Sequence, residues 1–239
     1  MAVYNGARFL REQLDSILPQ LNASDEMVLI DDRSTDGTSA LLEQFRQECA
    51  ADPLSPTLIL LTHEENQGVI RTFEETLRAA TGDILFLADD DDRWAPNKVN
   101  RVLAAFAEDD LLQIVSTGVE MMDEAGRPIA SSNFLRHRLF SDAIFANLLH
   151  NQFQGSTLAL RSAALQEVLP FPNGKLFLHD AWIGLRLLLH GGKVRHLAEP
   201  LLFYRRHGAN VSQRLSRWKQ VKLRLQLISA LFRAAGHRL

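Results

Sequence analysis

The sequence contains little cysteine, no long apolar run and, over its last 39 residues, no acidic side chain. Its one cysteine, Cys49, excludes an internal disulfide, so nothing here implies an oxidising compartment. No apolar run reaches the roughly 20 residues that a membrane-spanning helix needs. Arg8, Arg11 and Glu12 interrupt the N-terminal region, so we expect no signal peptide and a cytoplasmic protein.

The residues that are present are typical of one large soluble domain, or of one domain with an appendage. The 239 residues are 46% apolar and 23% charged, and the net charge of −3 combines two unlike parts. Residues 201–239 contain nine Lys and Arg, whereas the first 200 contain 17 basic and 29 acidic residues. The acidic body argues against nucleic-acid binding, and the basic tail suggests an anionic partner surface.

The central stretch is GDILFLADDDDRW, residues 82–94, in which five apolar residues lead into Asp89–Asp92. A short apolar run after a glycine predicts a strand buried on both faces. Four carboxylates at its end either face water as an acidic loop or hold a cation. The buried strand favours the cation, because ligands of open α/β sheets bind beyond the carboxyl ends of the strands. Mg²⁺ or Mn²⁺ suits such oxygen ligands and would bind a diphosphate.

The order of the predicted elements indicates an α/β fold. Apolar residues recur at helical spacing at Leu10, Leu14, Ile17 and Leu21, and strands are predicted at 27–30, 57–61 and 84–88. Four strand and helix pairs alternate up to about residue 110, which predicts a mostly parallel sheet with helices on both faces. The second half mixes strands and helices, and residues 131–150 form a plausible acceptor-side segment.

A second pair of carboxylates, Asp31 and Asp32, follows the predicted strand 27–30. One of them could accept the imide N–H of a uracil or thymine ring, a bond that cytosine cannot offer. Asp36, a few residues later, is explained by helix capping alone.

Two further clusters have both a structural and a functional interpretation. His179-Asp180 opens a predicted helix, where Asp180 is either an N-terminal cap or a general base that deprotonates an acceptor hydroxyl. Trp182 is either a flat wall for a sugar ring or part of the core. Arg205-Arg206-His207 is either a solvated basic surface or a diphosphate and metal contact. His63, His150 and His190 have no such context, so we treat them as structural or surface residues.

These motifs together resemble bacterial glycosyltransferase family 2, an inverting class with a GT-A, Rossmann-like fold for nucleotide-diphosphosugars. The similar segments are MAVYNGARFLREQLDSIL at the start, LIDDRSTDGT at 29–38, the stretch 65–99, HDAW at 179–182 and YRRHGANVS at 204–212. The last two resemble the rhamnosyltransferase branch most. The resemblance implies a catalytic domain over 1–210, with a nucleotide-sugar half at 1–110 and an acceptor half at 111–210.

The resemblance also implies a role for each matching residue. Asp180 would be the catalytic base, while Asp91, Asp89 and His207 would bind the metal. The implied acceptor contacts are His179, Trp182 and Asp92. The implied donor contacts are Val3, Tyr4, Asp31, Asp32, Arg71, Asp89, Asp90, Arg205 and Arg206. Two features depart from the family pattern: Asp90 stands where the branch commonly has Gln, and the first strand is short.

The implied reaction moves a sugar from a UDP- or dTDP-sugar to a saccharide or lipid-linked saccharide, with inversion. Two alternatives remain at this point: a Mg²⁺-dependent phosphohydrolase or nucleotidyltransferase, and a non-catalytic nucleotide-sugar-binding module. The tail, residues 211–239, predicts a basic amphipathic helix. It either lies on an anionic membrane at the inner face or packs on the domain with a solvated basic side.

Overall fold

The computed structural model describes residues 1–129, 142–172, 179–208, 210 and 217–236. Much of the expected acceptor-side segment, and the start of the tail at 211–216, lie outside the described residues.

The first third of the chain forms a parallel sheet in the order β1-β2-β3, in which β2 pairs with both neighbours. The predicted helical spacing at the start is confirmed, because Leu10, Leu14 and Ile17 are buried on one face of α1. All three strands point the same way, so their carboxyl ends share one edge of the sheet. The elements are β1 (Ala2–Val3), α1 (Leu10–Ile17), β2 (Glu26–Asp31), α2 (Thr38–Ala51), β3 (Thr57–Thr62) and α3 (Val69–Ala79).

The rest of the chain builds a second, mixed sheet in the order β4-β7-β6-β8-β5. Strands β6 and β8 are parallel, whereas the other neighbours are antiparallel. Its strands are β4 (Ile84–Phe86), β5 (Arg93–Trp94), β6 (Leu112–Met122), β7 (Leu158–Arg161) and β8 (Lys193–Arg205). The helices here are α4 (Lys98–Ala107), α5 (Ile144–Leu149), α6 (Leu165–Val168), α7 (His179–Leu189) and α8 (Arg217–Gly236).

The predicted α/β fold is confirmed, but the central strand has different neighbours from those expected. β4 pairs with the antiparallel β7 rather than extending the parallel sheet. The predicted strands 194–197 and 201–204 are one continuous strand, β8, whose register to β6 shifts beside Gly118. A Cβ on Gly118 would lie 2.6 Å from two carbonyl oxygens of β8, so this close approach requires glycine.

Helices pack on the sheets and bury three apolar clusters. One cluster lies under α1 and α2, another under α4, and the largest joins α3, α7 and α8 to β4, β6 and β7. Leu227, Ala230 and Leu231 place α8 against the largest cluster, so the tail packs on the domain. Among the described residues, no helix combines the length and apolarity needed to span a bilayer.

Candidate active site

The four aspartates lie on the loop between β4 and β5, beyond the carboxyl end of β4. One oxygen from each of Asp89, Asp91 and Asp92 lies within 4.8 Å of the other two. Asp90 points elsewhere, since its Oδ2 accepts the Tyr4 N–H at 3.2 Å. The structure therefore brings three of the four carboxylates together and uses the fourth to tie the loop to the end of β1.

Burial raises the pKa of Asp89, Asp90 and Asp92. It raises the pKa of Asp89 to about 7, assisted by the charges of Asp91 and Asp180. Burial followed by the charge of Asp91 raises the pKa of Asp90 to about 7. Burial and then Asp89 raise the pKa of Asp92 well above its ordinary value. A bound cation would relieve this accumulation of negative charge.

A buried lysine, Lys98, lies next to the aspartates. Its Nζ donates to the Ser156 carbonyl at 2.8 Å and lies 4.3 Å from the centroid of the Trp94 ring. Burial lowers the pKa of Lys98 to about 7, while Asp92 and Asp89 oppose that shift. The sequence interpretation missed Lys98. The available signal was a lysine at the first position of α4, because the helix dipole disfavours a cation there.

A turn of 3₁₀ helix, Gly155–Thr157, connects the aspartate loop to the start of α7. Its Ser156 is hydrogen-bonded to Lys98 and is a neighbour of Asp89. On its other side, a Cβ on Gly155 would lie 3.1 Å from His179 Nε2. This turn was also missed, because no local pattern shows that it lies beneath both clusters.

Asp180 lies in the first turn of α7 and shares the electrostatic surroundings of the aspartates. Its Oδ1 accepts the N–H of the next residue, Ala181, at 2.7 Å, inside the first turn and not as an N-terminal cap. Burial raises the pKa of Asp180, and His179 opposes this rise. A Cβ on Gly155 would lie 3.9 Å from Asp180 Cβ, and the next residue, Ser156, neighbours Asp89, so the candidate base lies close to the candidate metal ligands.

His207, on the loop after β8, reaches the same cluster. Its Nε2 lies 2.8 Å from Asp91 Oδ2, and its ring packs on Phe9 at 4.9 Å. Asn210 also donates to Asp91 Oδ2, at 3.2 Å, and its Oδ1 accepts the His207 N–H at 2.7 Å. The structure thus brings His207 to Asp91 and adds Asn210, which the sequence interpretation had not assigned.

Arg205 requires a correction. Its side chain is 1% exposed, and its guanidinium donates to the carbonyls of Asp91 and Glu124 and to the Glu12 carboxylate. Every one of these partners belongs to the protein, so the predicted donor contact does not fit this placement. Arg206, the next residue, is exposed and remains available for that role.

Asp31 and Asp32 are both buried and accept hydrogen bonds from neighbouring segments. Asp31 Oδ1 accepts the Ser34 N–H in the loop after β2, and its Oδ2 accepts the Ser39 hydroxyl at the start of α2. Each Asp31 oxygen has one such donor, so its base contact stays a prediction. Asp32 accepts the Gln67 and Gly68 N–H groups, which bind Oδ1 and Oδ2 respectively. Among the described residues Oδ2 accepts only the Gly68 N–H, so Asp32 keeps acceptor capacity for a base.

His63 holds Asp32 in place. Its Nδ1 lies 2.7 Å from Asp32 Oδ1 and its Nε2 lies 2.8 Å from Glu75 Oε2. Burial lowers the His63 pKa, but the hydrogen bonds to Asp32 and Glu75 outweigh it and raise the pKa overall. The structural role expected for His63 fits these bonds, which join β2, β3 and α3.

Four other predicted contacts divide into exposed and buried side chains. Tyr4 and Arg71 are exposed near the carboxyl edge of the first sheet and stay predicted donor contacts. Val3 is 1% exposed within the core, so its side chain does not line a pocket. Trp182 is also a core residue, with its Nε1–H donating to Val168 O at 2.7 Å. The sugar-wall interpretation of Trp182 is therefore wrong.

Asp92 is likewise fully buried, which does not fit the predicted acceptor contact. Its Oδ1 accepts the Arg205 N–H at 3.0 Å, whereas its Oδ2 has no hydrogen bond of ordinary geometry among the described residues. The clustered carboxylates and this unpartnered oxygen fit a hard divalent cation such as Mg²⁺ or Mn²⁺. Asp89, Asp91 and Asp92 would hold it, with His207 beside Asp91.

Comparison with known proteins gives a family match over most of the chain. The family model described as "Glycosyl transferase family 2" matches residues 1–169. An uncharacterised glycosyltransferase of Nostoc is 29% identical over 211 residues, covering 87% of this chain and 63% of that protein. The putative teichuronic acid biosynthesis glycosyltransferase TuaG of Bacillus subtilis is 25% identical, covering 92% of this chain and 81% of that protein.

Two solved structures show the same fold. Staphylococcus aureus TarS in complex with UDP-GlcNAc has a TM-score of 0.73 and 19% identity, covering 96% of this chain and 64% of that one. The mannosyltransferase PcManGT of Pyrobaculum calidifontis, in complex with GDP-Man and Mn²⁺, has a TM-score of 0.64 and 20% identity. The match covers 97% of this chain and 62% of that one. At these identities the likeness concerns the fold, and the chain spans less than two thirds of the Nostoc relative and of both structures.

Proposed function

The chain belongs to glycosyl transferase family 2, and from that membership we propose that it transfers a sugar from a nucleotide-diphosphate donor to an acceptor hydroxyl with inversion. The observation that carries the proposal is the group of Asp89, Asp91 and Asp92, with His207 on Asp91 and Asp180 as an electrostatic neighbour. That arrangement combines a cation site for a diphosphate with a carboxylate that can take a proton.

Asp89, Asp91 and Asp92 would hold Mg²⁺ or Mn²⁺, which when bound neutralises charge on the departing diphosphate. In this proposal Tyr4, Asp32 and Arg71 contact the nucleoside, and Asp90 fixes the loop beside Tyr4. Arg206 contacts the diphosphate. Asp180 accepts the proton of the acceptor hydroxyl as its oxygen attacks the anomeric carbon from the face opposite the diphosphate.

We also propose a class of donor and a class of acceptor. A UDP- or dTDP-sugar fits an acceptor at Asp32 for an imide N–H, and the resemblance noted in the sequence suggests rhamnose. TarS and PcManGT bind UDP-GlcNAc and GDP-Man, so GDP-sugars belong in any screen. We propose a saccharide or lipid-linked saccharide acceptor in the synthesis of a cell-surface polysaccharide such as lipopolysaccharide. The enzyme would act in the cytoplasm or peripherally at the inner face of the membrane.

The test is nucleotide release with Asp180→Asn, after a thermal-shift screen has identified a stabilising nucleotide sugar. We expect donor binding to be kept and transfer to a panel of saccharide acceptors to fall by about 10²- to 10⁴-fold, the usual contribution of a general base. Asp110→Asn is the matched control, because that side chain is fully exposed on the far side of β6 from the loop.

Three results would contradict the proposal. Near-wild-type transfer by Asp180→Asn would remove Asp180 from its role. Phosphate or pyrophosphate release without any acceptor would favour a phosphohydrolase or nucleotidyltransferase. Donor binding without turnover of any acceptor by the wild type would favour a binding module.

A further inference from the structure

The outer face of α8 carries a row of exposed apolar side chains. We call it the α8 stripe: Trp218, Val221, Leu225 and Phe232. Trp218 is 84% exposed and Phe232 is 75% exposed. At 3.6 residues per turn, the four positions fall within an arc of about 60°. Ser229, also exposed, is the one small polar residue on the same face.

The opposite face of α8 is already occupied. Leu223, Leu227, Ala230 and Leu231 are buried, and three of them belong to the largest apolar cluster of the domain. The stripe therefore cannot be explained by the packing of α8 on its own domain. α5, which contacts α8, adds the exposed Phe145 and Leu149.

The charge of the surrounding chain identifies the kind of partner. Lys222 and Arg233 are exposed on one flank of the stripe, and the half-buried Arg224 lies on the other. Residues 201–239 contain no Asp or Glu, so no acidic side chain of this segment neutralises them. Apolar side chains flanked by basic ones match an anionic lipid bilayer, whose headgroups attract the cations while its acyl boundary accepts the rings.

We infer that the α8 stripe lies on an anionic bilayer, with the helix parallel to the membrane plane and its inner face still packed on the domain. The helix does not need to leave the protein to bind, because the two faces are separate. This inference deepens the proposed function and rests on it in one respect. Contact with a membrane would bring the candidate active site close to a lipid-linked acceptor.

The test is co-sedimentation of the full chain with vesicles, without donor or metal, so that its outcome is independent of catalysis. We expect binding to phosphatidylglycerol-containing vesicles, little binding to pure phosphatidylcholine, and weakening at high salt. Trp218→Ser/Phe232→Ser and Lys222→Glu/Arg233→Glu should each reduce the vesicle partition coefficient by roughly tenfold or more. Donor-induced thermal shifts should be unchanged in both variants, because neither touches the site.

The matched control is Leu54→Ser/Leu111→Ser, which removes two side chains that are each 75% exposed but lie on the body of the protein. It should bind vesicles like the wild type. Absence of binding to anionic vesicles, or equal losses in the control and the stripe variants, would overturn the inference. A wild-type dimer that the stripe variant converts to a monomer would assign the stripe to a second copy of this chain instead.

Discussion

At the scale of a residue, Arg205 and Arg206 at the end of β8 have opposite environments. This difference distinguishes a structural role from a ligand-binding role. Arg205 is buried and donates to three parts of the protein, whereas Arg206 is exposed. A side chain that already satisfies its donors internally contributes to stability, while an exposed guanidinium is free to meet phosphate oxygens.

We therefore predict different results for Arg205→Met and Arg206→Met. The first should lower the free energy of unfolding by about 2–4 kcal/mol, because it removes a buried guanidinium and leaves two part-buried carbonyl acceptors and the Glu12 carboxylate without their donors. The second should leave stability within about 0.5 kcal/mol, as surface changes usually do, and weaken nucleoside-diphosphate binding. Urea unfolding and calorimetry measure the two effects. The reverse pattern would restore Arg205 to the donor site.

The raised pKa of Asp89 predicts how cation binding depends on pH. It is about 7, so protons compete with the cation for the Asp89 carboxylate below neutrality. We expect apparent Mg²⁺ affinity to rise by about fivefold between pH 6 and 7, if one proton with a pKa of about 7 is displaced, and by less than about twofold from pH 7 to 8. Calorimetry in buffers of different ionisation enthalpy should also detect proton release. Affinity that is flat from pH 6 to 8 would contradict this.

The same shift has a defined sign for stability. A carboxyl whose pKa is 3.8 when unfolded and about 7 when folded binds more protons in the folded state between these values. In the absence of cation, the free energy of unfolding attributable to Asp89 therefore falls as pH rises through that window.

At the scale of elements, the Gly155–Thr157 turn is what brings the two chemical groups together. It precedes β7, which pairs with β4 and so carries the turn to the carboxyl end of β4, where the aspartates begin. The α7 helix starts on the other side of the turn at His179. The position of Asp180 relative to the cation site therefore depends on Gly155, because this glycine leaves room for the His179 ring.

Gly155→Ala should therefore impair transfer more than binding. Its Cβ would lie 3.1 Å from His179 Nε2, so the start of α7 must shift by a few tenths of an ångström. We expect a fall in kcat of roughly tenfold with an unchanged donor dissociation constant, since a displaced base acts on orientation. Gly82→Ala is the control, because its nearest contacts are 3.7 Å or more away. Equal kcat values in both variants would show that α7 tolerates the shift.

These elements also show what the sequence can and cannot predict. Asp31-Asp32 and Asp89–Asp92 were recognisable because a buried apolar run ending in carboxylates is a local pattern. The helical spacing of Leu10, Leu14 and Ile17 is local too. Lys98, Ser156 and Asn210 were missed because their importance comes from the pairing of β4 with β7 and of β5 with β8, which are distant in sequence. Trp182 and Arg205 were misassigned because residue type alone does not distinguish a buried side chain from a ligand contact.

At the scale of the whole molecule, both sheets contribute loops to one candidate site. The body of the protein is acidic, whereas the tail is basic. The loops after β1, β2 and β4 come from carboxyl ends of strands, while α7 and the loop after β8 supply Asp180 and His207. In the proposed mechanism the acidic body binds a cation before the diphosphate, because three clustered carboxylates would otherwise repel the diphosphate. The basic helix α8 packs one face on the largest apolar cluster and exposes the α8 stripe on the other face.

The most direct test is calorimetric titration of UDP, dTDP and GDP into the wild type and Asp91→Asn, each with Mn²⁺ and with EDTA. Asp110→Asn is the control. We predict that at least one nucleotide binds the wild type in Mn²⁺, and that its affinity falls by at least about tenfold both in EDTA and in Asp91→Asn, as expected when a ligand to a diphosphate-binding cation is lost. Equal nucleotide affinity in all four conditions would contradict the assignment of Asp89, Asp91 and Asp92 as a cation site for the diphosphate.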